Sequence, residues 1–86
     1  MTLTLYHLPT CPYCLRVRQA AQHLGIELRL RDIARDPEAR EELIATRGRR
    51  TVPVLRVEQS GRVEWIGESE AIVEFLLGVA RVRGAA

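Results

Sequence analysis

Lysine and asparagine are absent from the 86-residue sequence, so all 13 basic side chains are arginine. A usage that uniform reflects coding bias more than function, yet it leaves every cation as a planar guanidinium suited to bidentate carboxylate recognition. Aromatics are scarce at 5%, and no basic run interleaves them. With a formal charge of only +2, this argues against a nucleic-acid surface. No apolar run approaches the roughly 18 residues that cross a bilayer. The apolar start, Met1 to Leu8, carries neither a basic leader nor a cleavage signal. The chain is therefore expected in the cytoplasm, off the membrane, as a monomer and a single domain over residues 1–86. Such a domain should bury roughly 60 to 65% of its unfolded surface.

Cysteine is nearly absent too: Cys11 and Cys14 are the only two, in the stretch "YHLPTCPYCLRVRQ". So short a loop gains little stability from a disulfide, and in a reducing compartment a close pair is more often catalytic or metal-binding. A structural zinc would need two further ligands, and His7 and His23 do not form the usual second pair, so no metal is expected. Inert packing of two small hydrophobes is the bland alternative.

Leu3, Leu5 and Leu8, with Thr4 and Tyr6 between them, predict a first strand that breaks at Pro9. Pro12 suits the first turn of a helix whose buried face is Val17, Ala20, Ala21 and Leu24, with Gly25 as its stop. Ile26, Leu28 and Leu30 alternate with charged residues as a second strand, giving a strand-helix-strand unit that should be parallel with a right-handed crossover. Asp36 and Pro37 then open a second helix, with Glu38, Glu41 and Glu42 near its positive end and Gly48 closing it. Val52 to Val57 and Val63 to Ile66 predict two strands joined by a turn at Gln59, Ser60 and Gly61. Ile72, Phe75, Leu76 and Val79 mark a last helix, with Trp65 covering the sheet near it and the tail from Arg81 to Ala86 fraying. The fold class is α/β, ordered βαβ, α, ββ, α: a four-stranded mixed sheet flanked by three helices.

A helix beginning at Pro12 puts Cys11 at its N-cap, where free N–H groups and the dipole favour a thiolate. Cys14 lies on the same stripe as Val17 and should point inward, shielded yet able to attack a mixed disulfide on Cys11. The spacing assigns Cys11 as nucleophile and Cys14 as resolving thiol. A Cys-X-X-Cys at a strand-to-helix junction favours this redox reading over inert packing.

"CPYC" at Cys11 to Cys14, "TVP" at Thr51 to Pro53 and the element order together resemble a dithiol glutaredoxin, a member of the thioredoxin fold, over nearly the whole chain. The resemblance implies a thiol-disulfide oxidoreductase that reduces protein disulfides or glutathionylated proteins. Glutathione would be its reductant, and a glutathione reductase system would supply electrons indirectly. It also implies that Pro53 is cis and faces the cysteines, and that Val52 offers its backbone to the cysteinyl part of glutathione. Tyr13 sits on the site rim.

Glutathione has a carboxylate at each end. One of Arg49 and Arg50 is expected near the glycyl carboxylate, the other being a solvated charge. At the far end "GESEAI", opening at Gly67, offers free helix N–H groups, with Glu68 and Ser69 at the carboxylate site or Ser69 simply capping the helix.

Two departures from the family pattern stand out. Leu8 occupies the place of a common lysine, removing the cation usually beside the thiolate, which makes thioredoxin reductase an alternative electron donor. His7 is adjacent, with a catalytic or a structural role. Glu68-Ser69 resembles instead the glutathione-binding domain of glutathione transferases. That segment suggests one alternative, a transferase-like glutathione-binding module; a separate alternative is a dimeric carrier of a [2Fe-2S] cluster held by Cys11 and glutathione.

Overall fold

The computed structural model describes residues 1–84. Its elements are β1 (Thr2–His7), α1 (Pro12–His23), β2 (Arg29–Asp32), α2 (Pro37–Arg47), β3 (Val54–Gln59), β4 (Arg62–Gly67) and α3 (Ser69–Gly84). The strands lie side by side as β2-β1-β3-β4, with β1 and β2 parallel and the other neighbours antiparallel. This is the mixed sheet expected of a thioredoxin-like fold.

Strand alternation divides the core between the two sheet faces. Leu3, Leu5, Leu55 and Val57 face one side, where Val17 and Ala21 of α1 and Ile72 and Leu76 of α3 pack against them. Tyr6 and Val54 face the other side, which Ala39 and Leu43 of α2 close together with Ile33. Burying a single Leu or Val of this kind contributes about 1.5 to 3 kcal/mol, so the two clusters dominate the stability of the sheet.

Local chemistry explains where the elements stop. Asp36 accepts from the Ala39 N–H at 3.1 Å, Pro37 fills the first helical position, and Gly48 ends α2 in the left-handed region. Ser60 and Gly61 both take positive φ, 53° and 77°, the two-residue turn that suits a right-twisted hairpin. Arg31 ties β2 to α2 by pairing with Asp36 at 3.1 Å and Glu42 at 3.7 Å, while the Tyr6 hydroxyl donates to Glu42 from below.

Four expectations change. The second strand starts at Arg29, not Ile26, because the Ile26 N–H bonds the Ala21 carbonyl and the Gly25 N–H the Gln22 carbonyl, a helix-closing pattern that consumes the donor. Residues Val52 and Pro53 stay outside β3, their cis bond turning the chain before the strand. Trp65 lies on the α2 face, 5.4 Å from Tyr6 between ring centres, rather than near α3. Its β4 neighbour Ile66 takes the α3 side. Residues Arg81 to Gly84 continue α3 instead of fraying; Ala85 and Ala86 lie outside the described residues. No helix among the described residues is long and apolar enough to cross a membrane.

Candidate active site

Tyr6 of β1 pairs with Val54 of β3, and Val54 with Gly67 of β4, so one row across the sheet marks where β1 and β4 leave and β3 enters. Three loops converge at that end. Leu8 to Cys11 follows β1, Thr51 to Pro53 precedes β3, and Glu68 leads into α3. Segments far apart in sequence are thus brought to one edge by strand pairing alone.

Cys11 is the N-cap of α1, extended at φ −79° and ψ 121°, with Pro12 as the first helical residue. Its N–H donates to Leu8 O at 3.0 Å and its carbonyl accepts from Leu15 N at 2.9 Å, which holds the thiol at the helix mouth. Both cysteines are free thiols, Cys11 partly exposed and Cys14 fully buried. Burial pushes the Cys11 thiol up, but the Cys14 N–H, the Cys14 thiol, the Tyr13 N–H and the Arg18 guanidinium outweigh it and hold Cys11 below its ordinary value. Burial acts with greater force on Cys14. Together with the Cys11 sulfur beside it, burial lifts Cys14 to about 11 against smaller opposing effects from the Leu8 backbone and Arg18. A pair of equal thiols in the sequence has become an easily ionised one and a reluctant one.

Beside the pair opens a cleft of about 650 Å³, within the range of small-ligand sites. It brings together Tyr13, Arg49, Thr51, Val52, Pro53, Glu68 and Ser69, all singled out from the sequence. Arg50 is exposed and does not line it, so of the two adjacent arginines Arg49 is the one facing the cleft. Tyr13 is 61% exposed and stands on the rim. Val52 and Pro53 are joined by a cis peptide, with Pro53 buried beneath the cleft and Thr51 exposed. Ser69 is the first residue of α3 and is buried, while Glu68 precedes it and accepts from the Ile72 N–H at 3.1 Å through its carbonyl. Glu68, not Ser69, therefore holds the capping position. Its φ of 66° lies in the left-handed region, where glycine sits freely and a glutamate backbone is strained by roughly 1 to 2 kcal/mol.

Sequence reading missed three arginines. Arg16 and Arg47 also line the cleft, and the Arg47 guanidinium fills the space that a Cβ at Gly67 would need. Arg18 projects instead toward the cysteines and donates to Pro9 O at 3.1 Å. The signal for Arg18 is its place seven residues after Cys11 and four after Cys14, one helical stripe; for Arg47 no local signal exists, because it meets Gly67 only through folding. His7 is buried at the end of β1 with an unpartnered Nδ1; burial first and Arg18 second depress its pKa, against Asp32, so it favours the neutral imidazole. Among the described residues no group of three or more His, Cys, Asp or Glu side chains is placed to hold a metal.

A helix-capping thiol over a buried partner, on a thioredoxin-like sheet, defines the class of thiol-disulfide oxidoreductases. The comparisons narrow this further. The sequence model described as Glutaredoxin matches residues 3–61. A Glutaredoxin of Pseudomonas aeruginosa is 36% identical over 69 residues, covering 78% of this chain and 69% of the relative. The chain belongs to the glutaredoxin family. Among solved structures, a maleylacetoacetate isomerase from Anaeromyxobacter dehalogenans, with GSH bound in its active site, is 32% identical at a TM-score of 0.71. That match covers 93% of this chain and 38% of the isomerase. A trimeric glutathione transferase of Leishmania is 27% identical at a TM-score of 0.76, over 91% of this chain and 18% of its own. The chain thus spans well under half of these larger enzymes.

Proposed function

We propose that the protein reduces protein disulfides and protein–glutathione mixed disulfides at the expense of glutathione. The Cys11 thiolate attacks one sulfur of the substrate disulfide; that S–S bond breaks, a new one forms to Cys11, and the departing thiolate takes a proton. Cys14, deprotonated as it attacks, then displaces the second substrate thiol and leaves a Cys11–Cys14 disulfide, or glutathione attacks the mixed disulfide directly. A protein disulfide is reduced at the cost of two glutathione molecules, which leave as glutathione disulfide; a protein–glutathione mixed disulfide already carries one glutathionyl group and consumes one more. In both cases an NADPH-linked glutathione reductase recycles the glutathione disulfide. The observation that carries this reading is the divergence of the two thiols, Cys11 held low and partly exposed, Cys14 buried and near 11.

The cleft suits glutathione on chemical grounds. Arg16, Arg47 and Arg49 supply cations for a carboxylate, and Glu68 and Ser69 stand at the mouth of α3, whose N–H groups can take the other. The isomerase relative solved with GSH supports the same ligand. Such a cycle suits the reducing cytoplasm and needs one copy of the chain, residues 1–86 acting as a single domain.

A second reading is favoured by the transferase-like neighbours and by Glu68-Ser69: a module that binds glutathione without turning over disulfides. One assay separates the two. NADPH oxidation is followed with glutathione, glutathione reductase and a small mixed disulfide. Activity lost in Cys11→Ser and partly kept in Cys14→Ser supports the oxidoreductase. Binding of glutathione without activity, undiminished in Cys14→Ser, supports the module. Activity that appears only when thioredoxin reductase replaces the glutathione couple keeps the chemistry and changes the donor.

A further inference from the structure

The chain has Leu8 where a cation would flank the thiolate, yet Cys11 is still held low. Backbone and thiol donors account for part of this, and they would be present in any helix-capping pair. The last and smallest contributor is a full charge, the Arg18 guanidinium. Arg18 follows Cys11 and Cys14 along one helical stripe, and its guanidinium turns back to donate to the Pro9 carbonyl in the loop that carries Cys11. Its Nε is shielded from solvent and has no protein partner, while the hydrogen bond to Pro9 O lies at the surface, so the half-buried guanidinium is laid against the loop rather than extended freely into water.

We infer that Arg18 is a positioning residue, pinning the Pro9–Cys11 loop to α1 and setting a fixed positive charge behind the two thiols. Arg18 does not line the cleft, whereas Arg16, Arg47 and Arg49 do. A carboxylate ligand neutralises the cleft arginines on binding and leaves Arg18 untouched, so the field on Cys11 persists with glutathione bound. The other ionisable groups facing this cluster are Cys14 on α1, His7 at the end of β1 and Asp32 at the end of β2. Only Asp32 is negative, and it opposes Arg18 at His7. The inference rests on the oxidoreductase reading, in which Cys11 is the nucleophile.

The experiment is the pH profile of Cys11 alkylation by iodoacetamide in a Cys14→Ser background, with Arg18 as Arg, Lys or Met. Arg18→Met should move the midpoint to higher pH and slow alkylation at pH 6 several-fold, and Arg18→Lys should recover most of that loss. An unchanged midpoint in folded Arg18→Met overturns the assignment, as does a loss that Lys fails to recover. Should the Met variant not fold, the Arg18 Nε–H resonance of the otherwise unaltered protein decides. It must shift with the Cys11 midpoint and cease to do so in Cys11→Ser, and a static resonance overturns the assignment. A parent protein whose Cys11 titrates at the ordinary thiol value overturns the oxidoreductase reading itself, a result distinct from both.

Discussion

Cys14 lies fully buried three residues along α1 from the partly exposed Cys11, and the two thiols shift in opposite senses, Cys11 below its ordinary value and Cys14 up to about 11. In the cycle this makes the order of events a property of the fold. Cys11 ionises first; Cys14 is raised chiefly by burial and only secondarily by Cys11, so the mixed disulfide on Cys11 removes the smaller part of what opposes its ionisation.

The retained proton makes reduced protein sensitive to alkali. Unfolded, Cys14 ionises near 9.0; folded, it holds its proton to about 11. Between those values the folded state binds more protons, so stability is fully present below pH 9 and falls as pH rises toward 11. The loss should be on the order of 2 kcal/mol, following from about 1.4 kcal/mol per unit. Urea unfolding at pH 8 and pH 10.5 measures it against Cys14→Ala, where this component of the decline should vanish; equal declines in the two proteins would contradict it.

Glu68 carries a left-handed backbone at the mouth of α3. Replacing it with glycine removes a strain of roughly 1 to 2 kcal/mol and adds about 0.5 to 1 kcal/mol of unfolded-chain entropy. Glu68→Gly should therefore unfold at a slightly higher temperature. Glu68 lines the cleft, where its carboxylate suits the free ammonium that glutathione carries beside its γ-glutamyl carboxylate, so the same variant should show a several-fold higher KM for glutathione with little change in kcat. Higher stability with an unaltered KM would leave the strain without a binding role.

Gly67 admits the Arg47 guanidinium where any other side chain would begin. Gly67→Ala should displace that flexible head without unfolding the sheet, and the KM for glutathione should rise about fivefold, ~1 kcal/mol, comparable to a charge-assisted hydrogen bond. In an Arg47→Ala background the same substitution should add nothing. Additive effects would mean that Gly67 acts through something other than Arg47.

Much of the site was legible in the chain because its signals are local. A proline after Cys11, a three-residue step to Cys14 and a core stripe through Val17 together dictate a capping thiol over a buried one. Asp36-Pro37 and Ser60-Gly61 likewise carry their cap and turn in adjacent residues. The boundaries that shifted are those decided by competition for a single donor, as at Ile26, whose N–H closes α1 instead of joining β2. The face taken by Trp65 depended on the parity of β4 against β3.

By itself the sequence determined the order of elements, the unequal placement of the two thiols and the arginine-rich supply of cations, since each follows from spacing along one helix or strand. Only the tertiary structure decided which arginines matter. The Tyr6–Val54–Gly67 row brings Arg49 and Glu68 to one cleft, folds Arg47 onto Gly67 and leaves Arg50 outside. The physical reason is that charge acts through space. A guanidinium's effect on a thiol depends on distance and burial, which spacing constrains along one helix but cannot state across a sheet.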